Sequence, residues 1–187
     1  MADVSVQAIT ISDEVAADGD FIVTAARPNT TATLANSSFA SGGGRLLSVT
    51  TAGTSDNGKT TTITGTSVLD EVISEIITST GSAEAVNGTK YFKTVTSVVC
   101  SEQYAGNITV GSLASAAQAI FPGRTRLKGF FVVSGGTAGI VNIYDGAPES
   151  GTILFKIRTL GTDNTLINDT FIPGEGVLLK DGAVVQY

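Results

Sequence analysis

Three carboxylates lie close together in the sequence, those of Asp70, Glu71 and Glu75. Paired carboxylates hydrolyse glycosidic bonds when the fold holds them at a defined separation, so this cluster is a first candidate for catalysis. Carbohydrate clefts also tend to present aromatic platforms, whereas this chain has no tryptophan and only 6% aromatic residues. We therefore interpret the three carboxylates as a solvated polar face.

A second acidic group consists of Asp13, Glu14 and the segment Asp18-Gly19-Asp20. It offers oxygen atoms of the kind that calcium prefers, but it lacks the full ligand spacing of an EF-hand. A turn between strands favours Asp and Gly for their backbone behaviour alone. The pairs Asp145-Gly146 and Asp181-Gly182 are interpreted in the same way, because each lies between strand-like runs. The sequence predicts no metal site and no cofactor.

The residue types that are missing exclude several further kinds of site. The chain has no histidine and one cysteine, Cys100. Serine–histidine and cysteine–histidine nucleophile pairs, histidine zinc sites and internal disulfides are therefore impossible. Cys100 ends an alternating strand, and we predict that it is a small buried hydrophobe. We predict no catalytic residues and no enzymatic activity.

The only local basic cluster is formed by Arg124, Arg126 and Lys128. Alternation along a strand points all three side chains to one face, where they are candidates for binding an acidic partner surface, with ordinary solvation as the alternative. The segment Gly42-Gly43-Gly44-Arg45 resembles a phosphate-cradling loop, but it lacks the lysine–serine/threonine ending and a following helix. We interpret it as a spacer.

The net charge of −6 argues against a nucleic-acid or anionic-membrane partner, because phosphate binding needs a concentrated positive field. No apolar stretch approaches the ~20 residues that span a bilayer. The Met-Ala-Asp-Val start lacks the basic and apolar regions of a signal peptide. We expect the protein to be made in a cytoplasm.

Short strand-like runs separated by turn residues cover most of the chain. In the first half they are Val4–Ile11, Phe21–Ala25, Arg45–Thr51, Lys59–Thr66, Leu69–Thr78, Tyr91–Cys100 and Asn107–Val110. After Arg126, apolar runs end at Gly-Gly, Asp-Gly, Ser-Gly or Pro-Gly pairs, which supply the positive backbone angles of tight turns. Leu69–Thr78 also matches a helical stripe, but its isoleucines, valine and threonine favour a strand.

These runs predict an all-β protein made of two small antiparallel β-sandwich or jelly-roll-like modules. The predicted modules are residues 1–112 and 125–187, joined by a short alanine-rich connector at residues 113–124. Within the connector we predict one short helix at Leu113–Ala119, which Pro122 would end.

Two groups of segments resemble the small β-sandwich modules found in many virion proteins of tailed bacteriophages. The C-terminal group is Phe130–Gly139, Val141–Gly146, Ser150–Leu154 and Ile172–Gly182, and the N-terminal group is Arg45–Gly53, Lys59–Thr66 and Lys90–Val98. The resemblance implies a virion structural protein that decorates or cements the capsid by contacts with the major capsid protein or other virion proteins. It also implies a homo-oligomer such as a trimer.

Two other functions stay open at this point. The first is a neck or tail component of the virion, such as a ring, collar or fibre-base protein. The second is a glycan-binding surface module in which Tyr91, Tyr104 or Tyr144 stacks on sugar rings.

Overall fold

The computed structural model describes residues 16–39, 42–81 and 83–187. The predicted strand Val4–Ile11 and the acidic residues Asp13 and Glu14 lie outside these ranges. The described strands are β1 Asp18–Ala26, β2 Gly44–Thr51, β3 Thr60–Ser67, β4 Val72–Thr78, β5 Ala85–Cys100, β6 Ile108–Phe121, β7 Thr125–Leu127, β8 Gly129–Gly135, β9 Gly139–Asp145, β10 Thr152–Thr159, β11 Asp163–Phe171, β12 Val177–Leu179 and β13 Ala183–Gln186. A 3-10 turn at Thr54–Asp56 is the one helical element in these ranges. The all-β class is confirmed.

The strands form one large antiparallel sheet and two small ones. The large sheet has the order β10-β9-β13-β6-β2-β5-β3-β4, and β1 pairs with β6 beside this path. The two longest strands change partner along their length. The first part of β5 pairs with β2 and the second with β3, while β6 passes from β1 and β2 to β13.

The structure corrects the prediction for the connector. Leu113–Ala119 is not a helix but part of β6, which continues to Phe121. The small side chains of Ala116 and Ala117 are buried, and Ala117 packs with Tyr91 and Tyr144. Alanine has little strand preference of its own, and packing against larger neighbours decides its conformation here. The division of the chain at this segment stays a prediction, although the large sheet runs across it.

The predicted strand at Leu69–Thr78 is confirmed as β4, which begins at Val72 after a turn in which Asp70 has a φ of 63°. The predicted turn glycines Gly136, Gly146 and Gly182 all have positive φ. Not all of these turns join strands that pair with each other. β8 pairs with β11 while β9 pairs with β10 and β13, so the turn at Gly136 leads from one sheet to another.

The two small sheets form a single antiparallel ribbon, which we call the C-terminal ribbon. β7 and β8 run along one side, and β11 and β12 return along the other. Between β11 and β12 the returning side carries an outward bulge, Ile172–Gly176, where the N–H of Ile172 donates to the carbonyl of Lys128 at 2.9 Å. One face of the ribbon packs on the large sheet. The apolar cluster between them contains Ile143, Ile157, Val185, Ile120, Leu127, Phe130, Val132, Val141, Phe155 and Tyr187.

Candidate functional site

The basic residues Arg124, Arg126 and Lys128 lie along the edge of the C-terminal ribbon that contains β7. All three are exposed, whereas Thr125 and Leu127 between them are partly buried. Leu127 packs against the apolar cluster beneath the ribbon, so the three cations lie on the opposite, solvent-facing side. The predicted alternation is therefore present, and the structure places the three charges in one stripe.

Two of the three cations hold the bulge of the ribbon in place. Arg126 donates from Nη1 to the carbonyl of Glu175 at 3.2 Å, and its Nε lies 3.9 Å from the Glu175 carboxylate. Lys128 donates from Nζ to the carbonyl of Gly174 at 2.5 Å. Arg124 makes no hydrogen bond or ion pair with any residue in the described part of the chain. These roles within the ribbon were not foreseen, because the bulge residues lie 49 and 46 positions further along the chain than Arg126 and Lys128.

Beyond Lys128 the alternation of the strand changes phase. Leu127 and Phe130 both face the apolar cluster although they are three positions apart, whereas strict alternation brings a side chain back to the same face every second position. One extra residue is therefore taken up at Lys128-Gly129. From this point Phe130 and Val132 face inward and Phe131 and Val133 face solvent. On the solvent-facing side of the ribbon, the stripe of cations is therefore followed by a stripe of apolar side chains.

The opposite strand extends this apolar surface. Leu166 lies opposite Val133, Asp169 opposite Phe131, and Phe171 opposite Gly129. Phe131 and Phe171 are 74% and 80% exposed, and Leu166 and Val133 are also exposed. We call this surface, formed by Arg124, Arg126, Lys128, Phe131, Val133, Leu166 and Phe171, the outer ribbon face. It combines exposed aromatic rings with cations, a composition typical of protein–protein interfaces.

The carboxylates near Asp70 have structural partners. Asp70 forms an ion pair with Lys93 at 2.6 Å. Glu75 accepts hydrogen bonds from the backbone N–H groups of Thr89 at 2.6 Å and Lys90 at 3.3 Å. Glu71 is exposed at the start of β4. These contacts agree with the interpretation of the three carboxylates as a polar surface.

The other acidic segment forms a turn. The N–H of Asp20 donates to Oδ1 of Asp18 at 3.2 Å. Within the described ranges, no three acidic, cysteine or histidine side chains are grouped so that they could hold a metal ion. Arg45 is buried, and β2 instead of a helix follows the glycine run before it. The geometry of a phosphate-binding loop is therefore not formed at that glycine run.

A polar cleft of about 380 Å³, which the sequence did not reveal, lies where turns from distant parts of the chain meet. Its walls include Leu69, Glu71, Gly123, Asp145, Lys180 and Asp181. The backbone N–H of Asp181 donates a hydrogen bond to Oδ1 of Asp145 at 2.8 Å. Burial raises the pKa of the nearby Glu149, and repulsion from Glu75 and Glu71 acts in the same direction. The cleft has an acidic rim but shows no nucleophile and base in contact.

The structure contradicts the stacking role considered for the three tyrosines. Tyr91, Tyr104 and Tyr144 are all buried. The Tyr104 hydroxyl lies 2.9 Å from that of Thr61, and the Tyr91 hydroxyl lies 2.7 Å from that of Ser115. These rings are covered by neighbouring strands because they fill the core, so none of them offers a free face to a sugar.

Cys100 is also buried, and burial raises the pKa of its thiol despite a hydrogen bond with Thr61. The prediction that it is a small buried hydrophobe is confirmed.

None of the helical structure in the described ranges is long and apolar enough to cross a membrane. Comparisons with protein-family models, curated proteins and solved structures found no match.

Proposed function

We propose that this chain is a structural subunit of a tailed-bacteriophage virion, where it decorates or cements the capsid and joins neighbouring protein subunits through the outer ribbon face. The observation that carries this proposal is the exposure of Phe131 and Phe171 beside the stripe of cations. The two rings expose about 300 Å² of apolar surface. The largest apolar patch on a typical monomer covers about 300–600 Å² and is often functional.

The chemistry of the outer ribbon face favours a protein partner. Aromatic residues and arginine are enriched at the centres of protein interfaces, where they supply most of the binding energy. A partner surface with apolar side chains and an acidic rim would bury the rings and pair with Arg124. No step of this kind needs a catalytic residue or a cofactor.

The placement in a virion rests on the sequence resemblance of the segments in both halves of the chain to phage β-sandwich modules. Within the particle, the shell is our first proposal and the neck or tail is the alternative. Imaging of assembled particles with a labelled subunit distinguishes them, because label over the whole shell supports decoration and label at one vertex supports a neck or tail component.

The direct test is incubation of the purified protein with undecorated heads. We expect co-sedimentation with the heads and greater resistance of the shell to heat. A variant with Phe131→Ser and Phe171→Ser should bind about tenfold or more weakly, since it lacks both exposed rings. The control is Ile140→Ser, which removes an exposed apolar side chain outside the ribbon. No binding to heads, or equal binding by both variants, contradicts the proposal.

A further inference from the structure

The sequence contains two asparagine–glycine pairs, Asn57-Gly58 and Asn87-Gly88. Asparagine is among the thermally labile residues, and in such a pair its side chain is attacked by the backbone nitrogen of the glycine. A bond from this nitrogen to the asparagine Cγ forms, and the side-chain nitrogen leaves as ammonia with the proton of the glycine N–H. Water then opens the cyclic imide to aspartate or isoaspartate. Glycine favours the attack because it has no Cβ to hinder its nitrogen.

The first pair occupies an exposed turn. Asn57 has φ −61° and ψ 130° and Gly58 has a φ of 81°, as expected of a type II turn with glycine at its second central position. The N–H of Lys59 donates to the carbonyl of Asp56 at 3.3 Å across this turn. Asn57 and Gly58 are both exposed, and a Cβ at Gly58 would meet nothing within 4 Å. The turn therefore leaves room for the Asn57 side chain to approach the nitrogen of Gly58.

The second pair lies within strand β5, where the same attack is hindered. Asn87 is exposed, but it lies opposite Ser48 of β2 in the large sheet. Gly88 is buried, and a Cβ there would lie 2.5 Å from a carboxylate oxygen of Glu75. The next N–H, that of Thr89, donates to the same carboxylate at 2.6 Å. The backbone on both sides of Gly88 is therefore held by neighbouring strands.

The two pairs differ in how much of the structure must open before the reaction. At the turn, the N–H of Gly58 donates to the carbonyl of Ser79 at 3.0 Å, so this hydrogen bond must break. At Asn87, a section of β5 must leave the large sheet. Local openings of turns cost far less free energy than openings of central strands.

We propose that Asn57 is a site of spontaneous deamidation in the folded protein, with water as the only co-reactant, and that β5 protects Asn87 from the same reaction. This inference goes beyond the proposed function and does not depend on it, because neither asparagine belongs to the outer ribbon face.

The modification changes the turn in two ways. Either product adds a negative charge next to the buried carboxylate of Asp56. The isoaspartate product also lengthens the main chain by one carbon atom between Asp56 and Lys59. The turn has little room for this change on its inner side, because a Cβ at Gly81 would lie 2.7 Å from the Cβ of Asn57. Isoaspartate therefore loosens the contact between this turn and the residues that follow β4.

The test follows both asparagines in the same wild-type sample. The purified protein is kept in mildly alkaline buffer, once folded and once in urea, and peptide mapping by mass spectrometry measures conversion of each amide to an acid. In the folded protein we expect Asn57 to convert about tenfold or more faster than Asn87, since reaction at Asn87 waits for a larger opening. In urea the two should convert at similar rates.

The variant Asn57→Gln is the control, because its longer side chain would have to form a larger ring. Conversion at position 57 should stop in this variant, while Asn87 reacts as before. Equal rates at Asn57 and Asn87 in the folded wild-type protein, or a faster reaction at Asn87, overturn the inference. So does an Asn57 that stays intact in the folded protein after the unfolded sample has converted completely.

Discussion

Asp56 is fully buried and is held by three hydrogen-bond donors. Its carboxylate accepts from the N–H of Ala105 at 2.6 Å and that of Gly106 at 3.4 Å, and Lys59 lies 3.2 Å away. Burial opposes ionisation, but the hydrogen bonds from these three residues outweigh it and lower the pKa of Asp56. The charge thereby fixes the turn at Thr54–Asp56 to the loop that follows β5.

We predict that Asp56→Asn lowers the free energy of unfolding by about 1–3 kcal/mol at neutral pH, since it weakens hydrogen bonds to a buried group. Because the pKa of Asp56 is lower in the folded state, its contribution is present above the unfolded value of about 3.9 and is lost as the pH falls through the folded value. The free energy of unfolding of Asp56→Asn and of the wild-type protein, measured with urea, should therefore differ less below pH ~4 than at neutral pH. Asp181→Asn, at an exposed position, is the control. A difference that is the same at both pH values contradicts the assignment.

The thiol of Cys100 gives a second prediction at the scale of one residue. Its side chain is buried and its pKa is raised, so little reactive thiolate reaches solvent in the native state. A chromogenic disulfide reagent should modify the native protein about a hundredfold or more slowly than the urea-unfolded protein, because modification waits for opening of the structure. Equal rates in the two states would show that Cys100 is accessible.

At the scale of elements, the bulge of the C-terminal ribbon depends on two glycines with positive φ. Gly174 has a φ of 68° and open space around it, whereas Gly176 has a φ of 75° and closer surroundings. A Cβ at Gly176 would lie 2.5 Å from the carbonyl oxygen of Leu127. Alanine substitutions at Gly174 and at Gly176 therefore distinguish the energetic cost of the backbone conformation from the additional cost of a steric clash.

We predict that Gly174→Ala lowers the free energy of unfolding by about 1–2 kcal/mol, the conformational penalty alone. Gly176→Ala should lower it by about 3 kcal/mol or more, since it adds the clash. Urea unfolding of both variants measures the difference. Equal losses would mean that the bulge shifts to accommodate the methyl group.

Strands are predictable from the sequence where β-branched residues alternate with other residues, as in β3, β4 and the second part of β5. β11 was not, because its asparagines and aspartates disfavour strands and only its pairing with β8 makes it one. For a similar reason, the second part of β6, residues 113–121, is predicted from the sequence as a connector, whereas its start is predicted as a strand at Asn107–Val110. Its alanines carry no periodic signal, and burial between β2 and β13 decides their conformation.

The candidate site was only half predictable. The basic stripe follows from alternation, which is a local property of a strand. The apolar part of the outer ribbon face depends on the phase change at Lys128-Gly129 and on the register that places Phe171 opposite Gly129. Without the phase change, Phe130 and Val132 would face solvent with Lys128, so the sequence pattern alone assigns the wrong phenylalanine to the surface.

At the scale of the whole molecule, a polar network ties the last strand to the first half of the chain. Gln186 on β13 donates to the Tyr91 hydroxyl on β5 at 2.8 Å. Its side-chain oxygen accepts from Asn142 at 2.8 Å and from the Tyr144 hydroxyl at 3.1 Å, both on β9. The side-chain amide of Gln186 therefore forms hydrogen bonds with residues that precede and residues that follow the predicted connector in the sequence.

This arrangement predicts that the described strands of the large sheet unfold together. Gln186→Leu should lower the free energy of unfolding by about 2 kcal/mol or more, because it leaves partly buried hydroxyl and amide groups without a partner. Calorimetry should then show one transition, shifted as a whole by about 5 °C. Gln103→Leu, which removes only an exposed bond to Asn29, is the matched control. Two transitions, with only one of them shifted, would instead show that residues 1–112 and 125–187 unfold as independent modules despite the shared sheet.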